Sequence, residues 1–389
     1  MMKRFLIISI VGLLWLPAAA QELSTKARVM LLTVSPGHEE LYAAFGHSAI
    51  YINDPEKHID KVYNYGTYYY NQPHFYLNFA RGYLLYGLSV STYDRFQGYY
   101  AYFNRQVVAQ VLDLTLEQRQ QVFDFLENNS LPENSMYYYD YFYDNCATRI
   151  RDVFVQVLGD DFEIPEHYTK DPDHTIRELT DRYIEKEFPW GKLGIDICLG
   201  LPMDKVLTDN EYMYLPDYLY LGFEAAKIRQ DSTWKPAIAG ERTLLYSRPM
   251  DYTMAWFTPV VAFSFLALLG LIMLIMQVRK GWLFRWFDFI LFFSIGAIGL
   301  LLFLLWTATD HHAAANNFNI LWALPTHMLV AFYIIKRSPK RWVNWYMALL
   351  VPFSIVLILF WNLIPQDLND AFIPVVFLLL LRAVAIIKR

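Results

Sequence analysis

Cysteine is almost missing from this chain: 389 residues hold two, Cys146 and Cys198. An exported protein with two cysteines can form one bridge and no more, so a disulfide-stapled scaffold is excluded. Cys198 lies in Gly194-Ile195-Asp196-Ile197-Cys198-Leu199, which reads as packed interior, while a Cys146–Cys198 bridge would make the chain a non-catalytic scaffold. Charge is also scarce, at 18% of residues, and no basic stripe with interleaved aromatics occurs. That excludes a nucleic-acid binder. Internal repeats and low-complexity tracts are absent as well. Nothing in the sequence calls for a cofactor or a metal.

Apolar residues are abundant, 55% of the chain, and they are unevenly placed. Met1-Met2-Lys3-Arg4, the apolar run Phe5 to Leu16 and Pro17-Ala18-Ala19-Ala20 read as a signal peptide over residues 1–20, cut after Ala20; the alternative is an uncleaved anchor. Either way residues 21–254 are exported. Five apolar runs follow: Trp256–Met276, Phe287–Thr307, Phe318–Ile335, Trp342–Trp361 and Ala371–Ile387, the third only just long enough to cross a bilayer. Arg279, Lys280 and Arg285 follow the first run, and Lys336, Arg337, Lys340 and Arg341 follow the third. Lys and Arg are lacking after the second and fourth runs, where Asp310-His311-His312, Asp367 and Asp370 stand instead. Five spans over residues 255–389, with basic loops and the Lys388-Arg389 tail in the cytoplasm, start outside, as the signal peptide independently requires. The membrane half carries 10 Lys and Arg against 4 Asp and Glu, so the total of −5 leaves −11 for the exported half.

The exported half is organised around Asp144-Asn145-Cys146-Ala147-Thr148-Arg149, a polar loop turning into a helix whose Ile150, Val153, Phe154 and Val157 share one face. Asp144 or Asn145 serves as N-cap, which puts Cys146 in the first turn, where the helix dipole and free N–H groups favour a thiolate. Upstream, Phe45-Gly46-His47-Ser48 opens a strand. Residues 27–35 form a preceding strand, and His47 to Ile52 and Ile59 to Tyr65 form a hairpin about Asn53-Asp54-Pro55-Glu56. Centred near Pro55–Glu56, that hairpin sets His47 opposite Asn64, a polar partner able to orient an imidazole, with Tyr63 and Tyr65 on the other face. His58 and Asp60, nearer the turn, are weaker candidates.

Residues 68–100 are dense in aromatics, a stripe that packs a core or, beside a membrane, lines an acyl-chain groove or an interfacial rest. Arg105 to Leu114 alternates as a strand, and Thr115-Leu116-Glu117-Gln118 starts a helix to Asn128 with a capping box. Met136 to Phe142 reads as a tyrosine-rich strand leading to Cys146. Residues 175–187 and 211–229 read as helices. The expected domains are a core over about 25–160 and a helical extension over about 161–254.

The order of a histidine strand before a cysteine helix resembles an α+β papain-like fold of the permuted NlpC/P60 type, as in lecithin:retinol acyltransferase-like enzymes, here followed by a five-span helical bundle. More closely, Phe45-Gly46-His47-Ser48, Val62-Tyr63-Asn64-Tyr65-Gly66-Thr67 and Asp144-Asn145-Cys146-Ala147-Thr148-Arg149 are similar to signature blocks of the Lnb family. Asp310-His311-His312, with Asn317, Asn319, Leu321-Trp322 and Pro325, resembles its membrane half. The resemblance implies a lipoprotein N-acyltransferase of the bacterial inner membrane. Its donor would be a phospholipid and its acceptor the amine of a diacylglyceryl-cysteine lipoprotein. Cys146 would be the acyl-carrying nucleophile, His47 its base, Asn64 the residue holding the ring, and the Cys146 N–H a donor to the oxyanion. Asn145, Asp144 and Arg149 are supporting candidates, as are Asp310, His311 and His312 at the outer mouth of the second and third spans; His327, inside the third, is weaker. The other enzyme class this fold hosts is a membrane-anchored cysteine peptidase or amidase acting on cell wall or protein, which has no need of five spans.

Overall fold

The computed structural model describes residues 21–169, 172–248, 256–336 and 340–389. The expected signal peptide and the 254/255 junction lie outside the described residues. In chain order the exported half contains β1 (Arg28–Val34), β2 (His47–Asp54), β3 (Ile59–Tyr68), α1 (Phe75–Arg81), β4 (Leu85–Ser91), α2 (Tyr93–Tyr102), β5 (Val107–Leu112), α3 (Leu116–Asn129), β6 (Met136–Tyr138) and α4 (Cys146–Leu158). It continues through β7 (Phe162–Glu163), α5 (Ile176–Ile184), α6 (Pro189–Cys198), α7 (Asp209–Tyr212), α8 (Pro216–Ala225), β8 (Lys227–Gln230), β9 (Thr233–Pro236) and β10 (Ile238–Leu245). Seven strands form an antiparallel sheet in the order β10-β5-β1-β2-β3-β4-β6, and β7-β8-β9 form a second, smaller one.

Period-two alternation drives both faces of the large sheet into cores. Leu31, Ile50, Ile52, Tyr63 and Tyr65 meet the buried side of α3 and of α4, with Ile150, Val153 and Phe154 on the predicted helical face. Met30, Leu32, Ala49, Tyr51 and Val62 meet Phe96 and Tyr100 of α2. At roughly 1.5–3 kcal/mol per fully buried side chain, this two-sided burial outweighs any strand propensity.

Three details depart from the sequence reading. The β2–β3 pairing runs Ile50 with Tyr63 to Asp54 with Ile59, so the turn occupies residues 55–58 and the register lies two residues beyond the expected one. Asp54 fixes that turn by accepting the N–H of Glu56 (3.0 Å) and of Ser24 (2.6 Å). A shift of two keeps the face, so Asn64 stays on the side of His47. The tyrosine-rich strand ends at Tyr138, because Asp140 and Asp144 pair across a turn. The extension is not purely helical: it carries the small sheet, and β10 returns to edge the large one beside β5. Cys146 and Cys198 are both free thiols, so the bridged scaffold falls away.

The membrane half comprises α9 (Pro259–Lys280), α10 (Arg285–Ala308), α11 (Thr326–Ile334), α12 (Arg341–Leu359) and α13 (Ile373–Ile387). Among the described residues four helices, not five, are long and apolar enough to cross a membrane. The third run is broken: a 3-10 turn at Phe318–Leu321 precedes α11, whose 9 residues reach about 13 Å of a ~30 Å hydrocarbon layer. Pro325 and the buried Asn317 and Asn319 interrupt the helix. The irregular backbone is sheltered by α10, where a Cβ at Gly296 would come 2.0 Å from Met328 N and one at Gly299 1.6 Å from Ala323 O. The segment nevertheless travels the length of the bundle. Asp310 N–H donates to Arg81 O of the exported half (2.8 Å), while Ile335 O accepts from Arg285 at the far end (3.3 Å).

A polar seam joins the halves. The last carbonyls of α6 are satisfied by side chains from the membrane half: Asn319 donates to Asp196 O (2.8 Å), Asn317 to Ile197 O (2.8 Å) and Gln366 to Leu199 O (3.1 Å). Beneath them Arg177, 2% exposed, donates to Asp196 (2.9 Å), Asp204 (2.8 Å) and Gly200 O (3.1 Å). Asp196 also takes Lys192 (2.9 Å) and Asn369 (2.8 Å).

Candidate functional site

The approach to Cys146 is built by local hydrogen bonds. Asp140 Oδ1 accepts the N–H of Phe142 (2.8 Å) and Tyr143 (3.0 Å), closing the turn before α4. Asn145 is the N-cap: its Oδ1 accepts the N–H of Ala147 (2.8 Å) and Thr148 (3.0 Å), and Thr148 Oγ1 accepts the Asn145 N–H (2.7 Å). Its amide donates to Tyr141 O and Tyr214 O, both at 2.8 Å. Every polar group of Asn145 is therefore spent on fixing Cys146 as the first helical residue, and the Cys146 N–H is left outside the cap. Asp144 and Arg149 form an ion pair, with the guanidinium 4.0 Å from the centre of the Tyr137 ring. These two brace the turn.

Cysteine and histidine arrive from opposite faces of the sheet and converge at the start of β2. The Ser48 N–H, with those of Ala147 and Cys146, faces the sulfur and favours its ionised form. Gly66, at φ +86°, clears the other side, where a Cβ would stand 3.6 Å from Cys146 Cβ and 3.1 Å from Tyr139. His47 Nε2 lies 3.4 Å from Asn64 Oδ1. Among the described residues that is the ring's one hydrogen bond, and Nδ1 is left for another proton. None joins the thiol to the imidazole directly; such bonds often tighten only when substrate is bound.

The sequence missed two members of this site. Tyr100 stacks on His47, ring centres 6.2 Å apart, and the Arg105 guanidinium lies 5.0 Å over Tyr100. Arg105 is itself buried, donating to Ser35 O (2.8 Å) and to Glu39 (3.2 Å). Alternation in residues 105–114 placed Arg105 inside a strand; β5 begins at Val107, and no local pattern announces the stack.

His47 and Cys146 are half-buried by area, yet burial dominates their ionisation. It pushes the His47 pKa down to about 4, with the Arg105 charge adding to the fall and the Asn64 bond opposing it. Burial also raises the Cys146 thiol, against the three N–H groups and Arg105. The helix start does favour thiolate, as expected, but desolvation wins. At neutral pH both the thiol and the imidazole are therefore uncharged.

Other candidates lie elsewhere. Asp310 and His311 bind α1, the latter through its ring to Phe79 O (3.0 Å), and no hydrogen bond or ring contact ties Asp310, His311 or His312 to Cys146. Asp60 accepts from Tyr93 N–H (3.3 Å), and His58 is an exposed turn residue at φ 53°. His327 is buried in the bundle, its Nδ1 2.8 Å from the Tyr346 hydroxyl. Among the described residues no cluster of three or more His, Cys, Asp or Glu could hold a metal ion.

Comparison with known proteins adds the two halves separately. Residues 18–182 match the family model described as the Lnb N-terminal periplasmic domain, and residues 251–389 match the Lnb transmembrane domain. Neither a curated protein nor a solved structure matches the chain.

Proposed function

The chain belongs to the Lnb family, and on that premise we propose that it is a lipoprotein N-acyltransferase of the bacterial inner membrane, working through a Cys146 thioester. The observation that carries the reading is a cysteine fixed as the first residue of a capped helix and faced by three backbone N–H groups, one of them from Ser48, the chain neighbour of a histidine held by Asn64. The order of these elements is that of a permuted papain-like domain.

In the first half-reaction the Cys146 sulfur attacks the ester carbonyl carbon of a phospholipid while His47 Nδ1 takes the thiol proton. The carbonyl oxygen becomes an oxyanion that accepts from the Cys146 N–H, a reading supported by the cap's use of the Ala147 and Thr148 N–H groups instead. Collapse breaks the C–O bond, the lysophospholipid alkoxide takes the proton from His47, and the acyl group remains on sulfur. In the second, the N-terminal amine of a diacylated lipoprotein attacks the thioester carbonyl and gives its proton to His47. The sulfur leaves and is reprotonated, and an amide is formed. A neutral His47 suits both steps as base, and Asn64 Oδ1 at Nε2 directs Nδ1 to the chemistry.

Fusion to a membrane bundle supports a lipid substrate over a cell-wall one. The deciding experiment mixes purified protein with phospholipid alone and weighs it. One acyl chain on Cys146, released by hydroxylamine, is expected; transfer to a diacylated lipopeptide should then release it. An adduct on another residue would refute the mechanism.

A further inference from the structure

We propose that α1 is an interfacial finger that seats Tyr76, Leu77 and Phe79 among the acyl chains of the outer leaflet and passes phospholipid to Cys146. Three observations carry it. First, α1 buries none of its residues, and these side chains are 82%, 56% and 42% exposed. Apolar exposure of that extent on a seven-residue helix costs free energy in water and gains it at a headgroup–acyl boundary.

Second, the fold fixes the height of α1. The 24 residues of α10 reach about 36 Å, enough to cross a ~30 Å hydrocarbon layer with little to spare. Its near end therefore emerges at the outer boundary, marked by the exposed Trp306. Two residues past that end, Asp310 N–H donates to Arg81 O (2.8 Å), and the His311 ring meets Phe79 O (3.0 Å). A Cβ at Gly82 would stand 2.7 Å from the Asp310 carbonyl carbon, so the contact admits no spacer. Seven residues of helix span about 10 Å, which keeps all of α1 within reach of the interface.

Third, a continuous track of rings joins α1 to the site. β3 carries Asn64 and Gly66 past Cys146 and ends at Tyr68. From Tyr139, which packs with Cys146 on the same core, Tyr139 to Tyr86 is 4.6 Å between centres, Tyr86 to Tyr68 5.8 Å, Tyr68 to Tyr70 4.8 Å, Tyr70 to Phe75 5.1 Å and Phe75 to Phe79 6.3 Å. An acyl chain lying on that track keeps aromatic surface against it from leaflet to site.

The inference rests on the acyl-transfer reading for the use made of the lipid, and the test separates the two. Cys146 acylation is timed in the full-length protein with two donors: phospholipid in nanodiscs, and a short-chain water-soluble ester. In the double variant Tyr76→Asp, Leu77→Asp the nanodisc rate should fall about tenfold or more, while the soluble ester acylates Cys146 at the parent rate, which also shows the fold intact. Equal loss with both donors, or no loss with either, overturns the role of α1. If the unmodified protein gains no acyl group from either donor, the thioester reading has failed. A photocrosslink then decides α1: p-benzoylphenylalanine at position 76 in native membranes should give a phospholipid adduct. The same group at Lys57, on the hairpin tip about 25 Å along β2 from His47, should not. A crosslink at position 76 only to protein, or to nothing, overturns it.

Discussion

Two polar clusters in this protein, a buried one around Arg177 and a half-buried one around Cys146, differ in how much bonding capacity they leave unused. Around Arg177 almost none remains: its Nε, Nη1 and Nη2 all donate, and both oxygens of Asp196 are taken by Arg177, Lys192 and Asn369. Around Cys146 the opposite holds. Among the described residues the thiol is faced by backbone N–H groups and bonded by no side chain, and His47 has one bond through Nε2 with Nδ1 idle. A saturated cluster is a clamp, because any new partner must displace an old one. An unsaturated one is where a substrate can be accommodated.

Substitution should expose that difference most strongly at Cys146, the proposed nucleophile. Cys146→Ser is expected to keep the melting temperature and lose roughly 10³-fold or more of acyl transfer, with His47→Ala close behind, since the two act as one unit. Asn64→Ala should cost less, roughly tenfold to a thousandfold, because it only holds the ring. A serine variant that transfers acyl groups would erase the distinction.

The clamp should fail in the other currency. Arg177→Ala leaves Asp196 buried without its main partner, a loss of about 3–5 kcal/mol. Thermal melts in detergent should drop steeply, while activity per folded molecule is retained. A melt within error of the parent would show the cluster to be ornamental.

The pH profile sharpens the contrast. As the proposed base His47 must be unprotonated, so single-turnover acylation should rise as pH climbs through about 4 and be flat near neutrality. The Arg105 charge helps hold that value down, so Arg105→Gln should move the acid limb up toward the ordinary 6.5, and Arg105→Lys should restore it. A limb already at 6.5 in the parent would contradict the desolvated site. The smallest effects are expected at His311→Ala and Cys198→Ser. Each should change stability by about 1 kcal/mol or less and transfer by less than about twofold, measured in cells at equal protein levels.

What could be read in advance was what neighbouring residues decide among themselves. The capping box at Thr115–Gln118, the N-cap at Asn145, the apolar face of α4 and the strand opening at His47 all hold. Parity survived even where register did not, which is why Asn64 was found despite a misplaced turn. The losses are non-local. β10 pairs with β5 across more than a hundred residues, and Arg105 reaches His47 only through Tyr100. The broken third segment depends on two glycines of another helix making room for it.

The three carboxamides that finish α6 also bear on how the chain could be divided. Asn317, Asn319 and Gln366 satisfy carbonyls that the exported half cannot satisfy alone. Leu193 and Ile197, on the same helix, rest against the membrane core. An exported half released from its anchor would therefore carry a frayed helix end, an open apolar flank and a charge cluster lacking Asn369. The boundary that composition draws near residue 254 marks where lipid begins, and the unit that folds extends across it.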